Sequence, residues 1–176
     1  MTQYNFIKQD LQTKSDLEWF DTLCDILKKD NSPTTFSLTQ LIGEEAPNPA
    51  NQERYSKLLI PFDKRFKWAW ISPDLADTDV DKPLDSLSFG GTDFCLKMTD
   101  LTQRFSDFKT ERNVYDGGTQ IFFYPVAEEY EFSAIEFRTD TDVEDINDFL
   151  ALEFHTVTFQ FGNKIFLTRA GFYMTR

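Results

Sequence analysis

Residues 154–161 read Phe-His-Thr-Val-Thr-Phe-Gln-Phe, with His155, Val157, Phe159 and Phe161 on one parity and Thr156, Thr158 and Gln160 on the other. Successive side chains of a strand point to opposite faces, so this alternation demands a sheet with one face against a core. The chain has the material for that core. It holds 19 Phe in 176 residues, with 40% hydrophobic and 16% aromatic content. Phe carries no polar group to satisfy, so most of these rings are expected inside.

Helices are needed to cover the sheet, and Ser15 to Lys29 supplies the clearest one. Ser15 and Glu18 have capping-box spacing, with Asp16 also in the first turn. Leu17, Phe20, Leu23, Cys24 and Leu27 share a face, flanked by Trp19 and Ile26, and Lys28 and Lys29 complement the C-terminal dipole before Asp30-Asn31-Ser32-Pro33. Further along, Phe36, Leu38, Leu41 and Ile42 fit a strand or a short helix stopped by Gly43. Residues 44–49 read as a loop, and Asn51 to Ile60 as a short helix ahead of Pro61.

From Phe66 the sequence favours strands. Phe66 to Ile71 reads as a strand with Trp68 and Trp70 on one side, and residues 83–87 read as one helical turn after the acidic stretch Asp74 to Asp81. Asp93 to Met98 alternates. Thr99 is placed to cap a helix bearing Leu101, Phe105 and Phe108, and Asn113 to Tyr124 reads as a hairpin turning at Asp116-Gly117-Gly118. Tyr130 to Arg138 is a strand, and Asp142 caps a helix bearing Val143, Ile146, Phe149 and Leu150. Gly162-Asn163 offers a two-residue turn from 154–161 into Lys164–Arg169, with a last strand from Phe172 to Thr175. The expected fold is α+β in a single domain, 1–176. It has a mainly helical part (1–65) and a sheet-forming part (66–176), the sheet mostly antiparallel with helices on one face.

Asp-Thr-Asp-Val occurs at both 77–80 and 140–143, an offset of 63. Each copy follows an apolar strand and precedes an alternating one, which raises a duplicated β-α-β unit as a possible plan.

Charge is distributed unevenly. Residues 71–153 hold 6 basic and 20 acidic side chains, a local charge of −14 within a total of −12, and residues 154–176 hold three basic groups and no acid. Such a segment repels nucleic acid and anionic membrane and attracts a basic protein. Solubilising an aromatic-rich chain is the plainer role for the same carboxylates.

No catalytic set emerges. Asp77, Asp79 and Asp81 have the opening spacing of a calcium loop, but its glycine and closing glutamate positions hold Lys82 and Ser88. His155 is the sole histidine, which excludes a multi-histidine metal site and leaves one candidate for a triad, with no Gly-x-Ser-x-Gly elbow to serve it. Gly90-Gly91 and Gly117-Gly118 read as turns, not phosphate loops. Cys24 and Cys95 amount to neither a disulfide framework nor a metal cluster, and no cofactor or metal is expected. The first 14 residues lack a signal-peptide apolar run, so a cytoplasmic location is expected.

These readings converge on a non-catalytic module that inhibits or binds a basic protein, the physical profile of bacterial immunity proteins that neutralise toxins. The expected contact residues are Asp74, Asp77, Asp79, Asp81, Glu128, Glu129, Asp140, Asp142, Glu144 and Asp145, with Trp68 and Trp70 as aromatic anchors. The alternatives are an enzyme or small-molecule-binding domain with a site assembled from scattered residues, or a structural component.

Overall fold

The computed structural model describes residues 10–31, 35–47, 57–73, 84–115, 118–140, 149–161, 165–168 and 171–174. Helix α1 (Asp16–Ile26) starts as its sequence dictates: the Ser15 side chain accepts from the Glu18 N–H at 3.4 Å, and Glu18 accepts from the Ser15 N–H at 3.0 Å. Helix α2 (Thr35–Ile42) runs directly into β1 (Gly43–Glu45). Strands β2 (Lys57–Pro61), β3 (Trp68–Pro73), β4 (Leu84–Gly90) and β5 (Leu96–Lys97) follow, then helix α3 (Met98–Arg104). The remaining strands are β6 (Phe108–Tyr115), β7 (Gly118–Pro125), β8 (Phe132–Thr139), β9 (Glu153–Phe154), β10 (Thr156–Phe161), β11 (Ile165–Thr168) and β12 (Gly171–Met174).

Eight strands form one antiparallel sheet in the order β1-β2-β3-β4-β10-β8-β7-β6. Two four-stranded meanders thus meet where β4 pairs with β10, with Ser88 opposite Thr158 at mid-ladder and their hydroxyls 2.9 Å apart. Antiparallel α+β is the architecture expected; the sheet, however, begins at residue 43 rather than at 66.

Every strand that lines the core does so by alternation. Leu59, Ala69, Ile71, Leu87, Phe89, Val157, Phe159, Ile135, Phe137, Ile121 and Phe123 occupy one face and are all buried. The helices cover that face. Trp19 of α1 lies 4.5 Å from the Phe66 ring and edge-on to Phe89 and Phe94, while Phe20 meets Phe105, Phe137 and Phe159. Among the described residues nine Phe are at most 2% exposed, and each contributes roughly 1.5–3 kcal/mol by burial. Edge-to-face contacts fix how these rings interlock.

Arg65 ties the N-terminal segment to this layer. Its guanidinium donates to Asp63 and Asp16 at 3.0 Å each and to the Lys14 carbonyl at 2.7 Å, and Asp16 in turn accepts from the Cys95 N–H at 2.9 Å. The far end of α1 docks by backbone pairing, with Lys29 N–H on the Glu129 carbonyl and Glu131 N–H on that of Leu27.

Several local expectations are corrected. Residues 57–60, read as the end of a helix, form β2 together with Pro61, because Leu59 fills a core position opposite Ala69. The turn of helix read at 83–87 is β4 from Leu84: Ser86-Leu87-Ser88-Phe89 alternates polar and apolar and is paired on both sides. Lys97, without a side-chain bond, stands at the N-cap of α3 in place of Thr99, and Phe108 opens β6 instead of continuing that helix. Of 93–98, only Leu96–Lys97 is strand. The hairpin read from 154–161 into 164–169 does not form. Both edges of β10 are taken by β4 and β8, so β11 pairs with β12 in a separate two-stranded sheet. The hairpin at 116–118 does form, and is longer than expected, running from Phe108 to Pro125. Gly118 sits at φ +140°, and a Cβ there would strike the Thr139 carbonyl, so only glycine fits.

In the proposed repeat, the helix expected in the first copy is replaced by β4, and residues 77–80 and 141–143 lie outside the described residues, as does the Asp142 cap. No helix among the described residues is long and apolar enough to cross a membrane.

Candidate functional face

With the helices on one side, the other face of the sheet carries the side chains of opposite parity. Its composition is different. β3 presents Trp68, Trp70 and Ser72; β4, Ser86 and Ser88; β10, Thr156, Thr158 and Gln160; β8, Glu136 and Arg138; β7, Gln120, Phe122 and Tyr124. At its centre Glu136 is only 4% exposed. Its carboxylate accepts from Gln120 Nε2 at 2.9 Å, from Gln160 Nε2 at 2.7 Å and from Arg138 Nε. Asn113 donates to Gln120 Oε1 at 3.0 Å, so one hydrogen-bonded chain crosses β6, β7, β8 and β10. A buried carboxylate is tolerable only with such partners. Among the described residues Gln160 Oε1 is buried with no partner, the one loose end in this network.

The aromatic side of the face is more open. Trp68 and Trp70 are half-buried. The Trp68 ring lies across Gly90, where any Cβ would collide with it, and Trp70 stands opposite Ser88 and Leu58. On the far side, the Phe122 and Tyr124 rings stack at 6.2 Å and 14°.

The acidic residues singled out by sequence are divided by the topology. The register sets Leu84 of β4, Phe161 of β10 and Phe132 of β8 at one end of the sheet, and Gly90, Thr156 and Thr139 at the other. Pro73 and Leu84, which flank 74–83, therefore share an end with Glu128 and Glu129, whereas Asp140 lies at the opposite end. Glu128 has a side chain 96% exposed and touches Lys29 only at 3.9 Å, and Glu129 and Asp140 are exposed too. Asp74, Asp77, Asp79, Asp81, Asp142, Glu144 and Asp145 lie outside the described residues, as does the candidate calcium spacing.

His155 breaks the strand between β9 and β10. It is exposed, its Nδ1 is 2.6 Å from the Phe94 carbonyl, and its own carbonyl accepts from Gly91. It holds a loop in place. Burial pushes the Cys24 thiol well up, and burial together with nearby Glu153 raises that of Cys95. Among the described residues no three His, Cys, Asp or Glu converge on a point where a metal would sit. A small apolar gap lies under α1 between Trp19, Leu41 and Phe66. A wider open hollow of about 640 Å³ lies beside the start of β6, lined by Asp107, Phe108, Lys109, Pro125, Val126 and Glu129 among others. Neither hollow is lined by His155 or Glu136.

Sequence reasoning missed the Glu136 network. The available signal was a lone acid inside Ala134-Ile135-Glu136-Phe137, an otherwise apolar strand, where a buried charge implies dedicated donors. Comparison with protein-family models, curated proteins and solved structures finds no match for this chain.

Proposed function

We propose that this chain is a non-catalytic binding module for a basic protein, in its most specific form an inhibitor of the kind bacterial immunity proteins represent. One observation carries the reading. Helices α1, α2 and α3 pack on one side, which leaves Trp68 and Trp70 half-buried on the other, on the strand that leads at Pro73 into Asp74, Asp77, Asp79 and Asp81. Trp70 stands at mid-strand and Trp68 opposite Gly90, at the end away from Pro73, so the indoles and the acidic stretch offer separate points of recognition for arginine and lysine, the indoles by cation–π contact and the carboxylates by ion pairing. Glu128 and Glu129 add charge at the same end, about two strand spacings (~10 Å) from β4. Asp140, Asp142, Glu144 and Asp145 act as long-range steering charge in this reading, which raises the association rate without direct contact.

The test is co-purification from the native host at about 0.1 M and about 0.5 M salt, repeated with Trp70→Ser and with the double variant Glu128→Lys, Glu129→Lys. The expected result is a stoichiometric basic protein, lost at high salt and weakened by either variant. No stoichiometric partner, or one indifferent to salt and to both variants, overturns the proposal.

A further inference from the structure

Strand β6 ends the eight-stranded sheet: among the described residues β7 is its one sheet neighbour, and nothing pairs with its outer edge along Phe108–Tyr115. Lys109, Thr110 and Arg112 are exposed. Eight residues of unprotected edge is long, and natural sheets cover, shorten or pair such edges. The opposite edge, β1, has only three residues.

The charge order on β6 selects a partner. Two copies joined edge to edge by a twofold axis normal to the sheet place one residue opposite itself and pair the rest symmetrically about it. Centring on Lys109, Glu111 or Arg112 puts like charges face to face, which is unfavourable. Centring on Thr110 sets Lys109 opposite Glu111 of the second copy, and Glu111 opposite its Lys109. The same register sets Phe108 opposite Arg112 of the second copy, next to the hollow whose rim holds Asp107 and Glu129. Lys109 also lines that hollow, and this register pairs it with Glu111 of the second copy, so the two acids of the rim face the arriving Arg112, whose stem passes exposed Val126 (65%).

We infer that β6 is a homodimerisation edge, two copies pairing antiparallel about Thr110 to make a continuous sheet, with Arg112 of each seated in the hollow of the other. Lys109 and Glu111 share the sheet face of Trp68 and Trp70, but β6 lies at the sheet edge with β4, β10, β8 and β7 between it and β3, so a dimer would present two separate Trp68 and Trp70 sites.

Sedimentation equilibrium over a wide concentration range tests this, with circular dichroism to confirm that every variant folds. The wild-type chain is expected to dimerise reversibly. Lys109→Glu alone, Glu111→Lys alone and Arg112→Glu are each expected to weaken association by roughly tenfold or more. The double exchange Lys109→Glu, Glu111→Lys restores both cross-strand pairs with the signs swapped, and is expected to recover dimerisation. A chain that stays monomeric at all concentrations overturns the inference. So does a dimer unaffected by the single reversals, or one that the double exchange fails to rescue.

Discussion

Glu136 sits in mid-sheet with its carboxylate ringed by two amide donors and a guanidinium, and the balance among them is measurable. Replacing it with Gln keeps the shape but turns one accepting oxygen into a donor, aimed at groups that also donate. Glu136→Gln is expected to lower stability by about 2 kcal/mol in urea melts, the cost of a buried clash of donors. Arg138 is 59% exposed on its side chain, so Arg138→Ala is expected to cost less than about 1 kcal/mol. Equal losses would mean that the ion pair, not the amide pair, holds the carboxylate. Gln160 belongs to the same account: its Nε2 is committed to Glu136, which leaves its buried Oε1 without a donor.

Among the elements, α1 is the one whose limits were most legible in the residues. The reciprocal bonds between Ser15 and Glu18 hold the Glu18 carboxyl below its ordinary value, with the Ser15 hydroxyl the larger cause. A carboxylate with a lowered folded value stabilises above its unfolded value, and the effect is lost as pH falls through the folded one. Loss of an N-cap costs about 1 kcal/mol on its own account, and Ser15→Ala is expected in addition to reduce the steepness with which thermal stability falls as pH drops below the ordinary Glu range. A parallel downward shift at every pH would remove Glu18 from that explanation. The β6–β7 hairpin was legible for a similar reason, since its turn chemistry is local. β2 and β4 were not. Their sequences carry the proline and polar signals of helix ends, and strand is decided by pairing partners outside each segment, Ala69 for β2 and, far along the chain, Val157 for β4. Pairing of β11 with β12 was hidden likewise, because nothing in residues 154–161 announces that β4 already occupies the edge a hairpin would need. Of the candidate face, Trp68 and Trp70 were visible as a pair, while Glu136, Gln120 and Gln160 come together only through register.

At the scale of the whole molecule the net charge of −12 opposes compaction. Screening relieves that repulsion, so the melting temperature of the isolated chain is expected to rise between about 0.05 M and 0.5 M sodium chloride, the same change that is expected to release a basic partner. A melting temperature that falls instead would show attractive surface pairs, such as Arg104 with Asp21, outweighing the general repulsion. The sheet's order has another consequence. Its middle ladder joins β4 to β10, yet β10 is the last of its eight strands to be synthesised. A nascent chain holding everything up to about residue 150 has the covering helices but two partial sheets, with the inner edges of β4 and β8 still waiting for β10. Folding is therefore expected to be slow, to complete only after β10 leaves the ribosome, and to lean on chaperones in the interval.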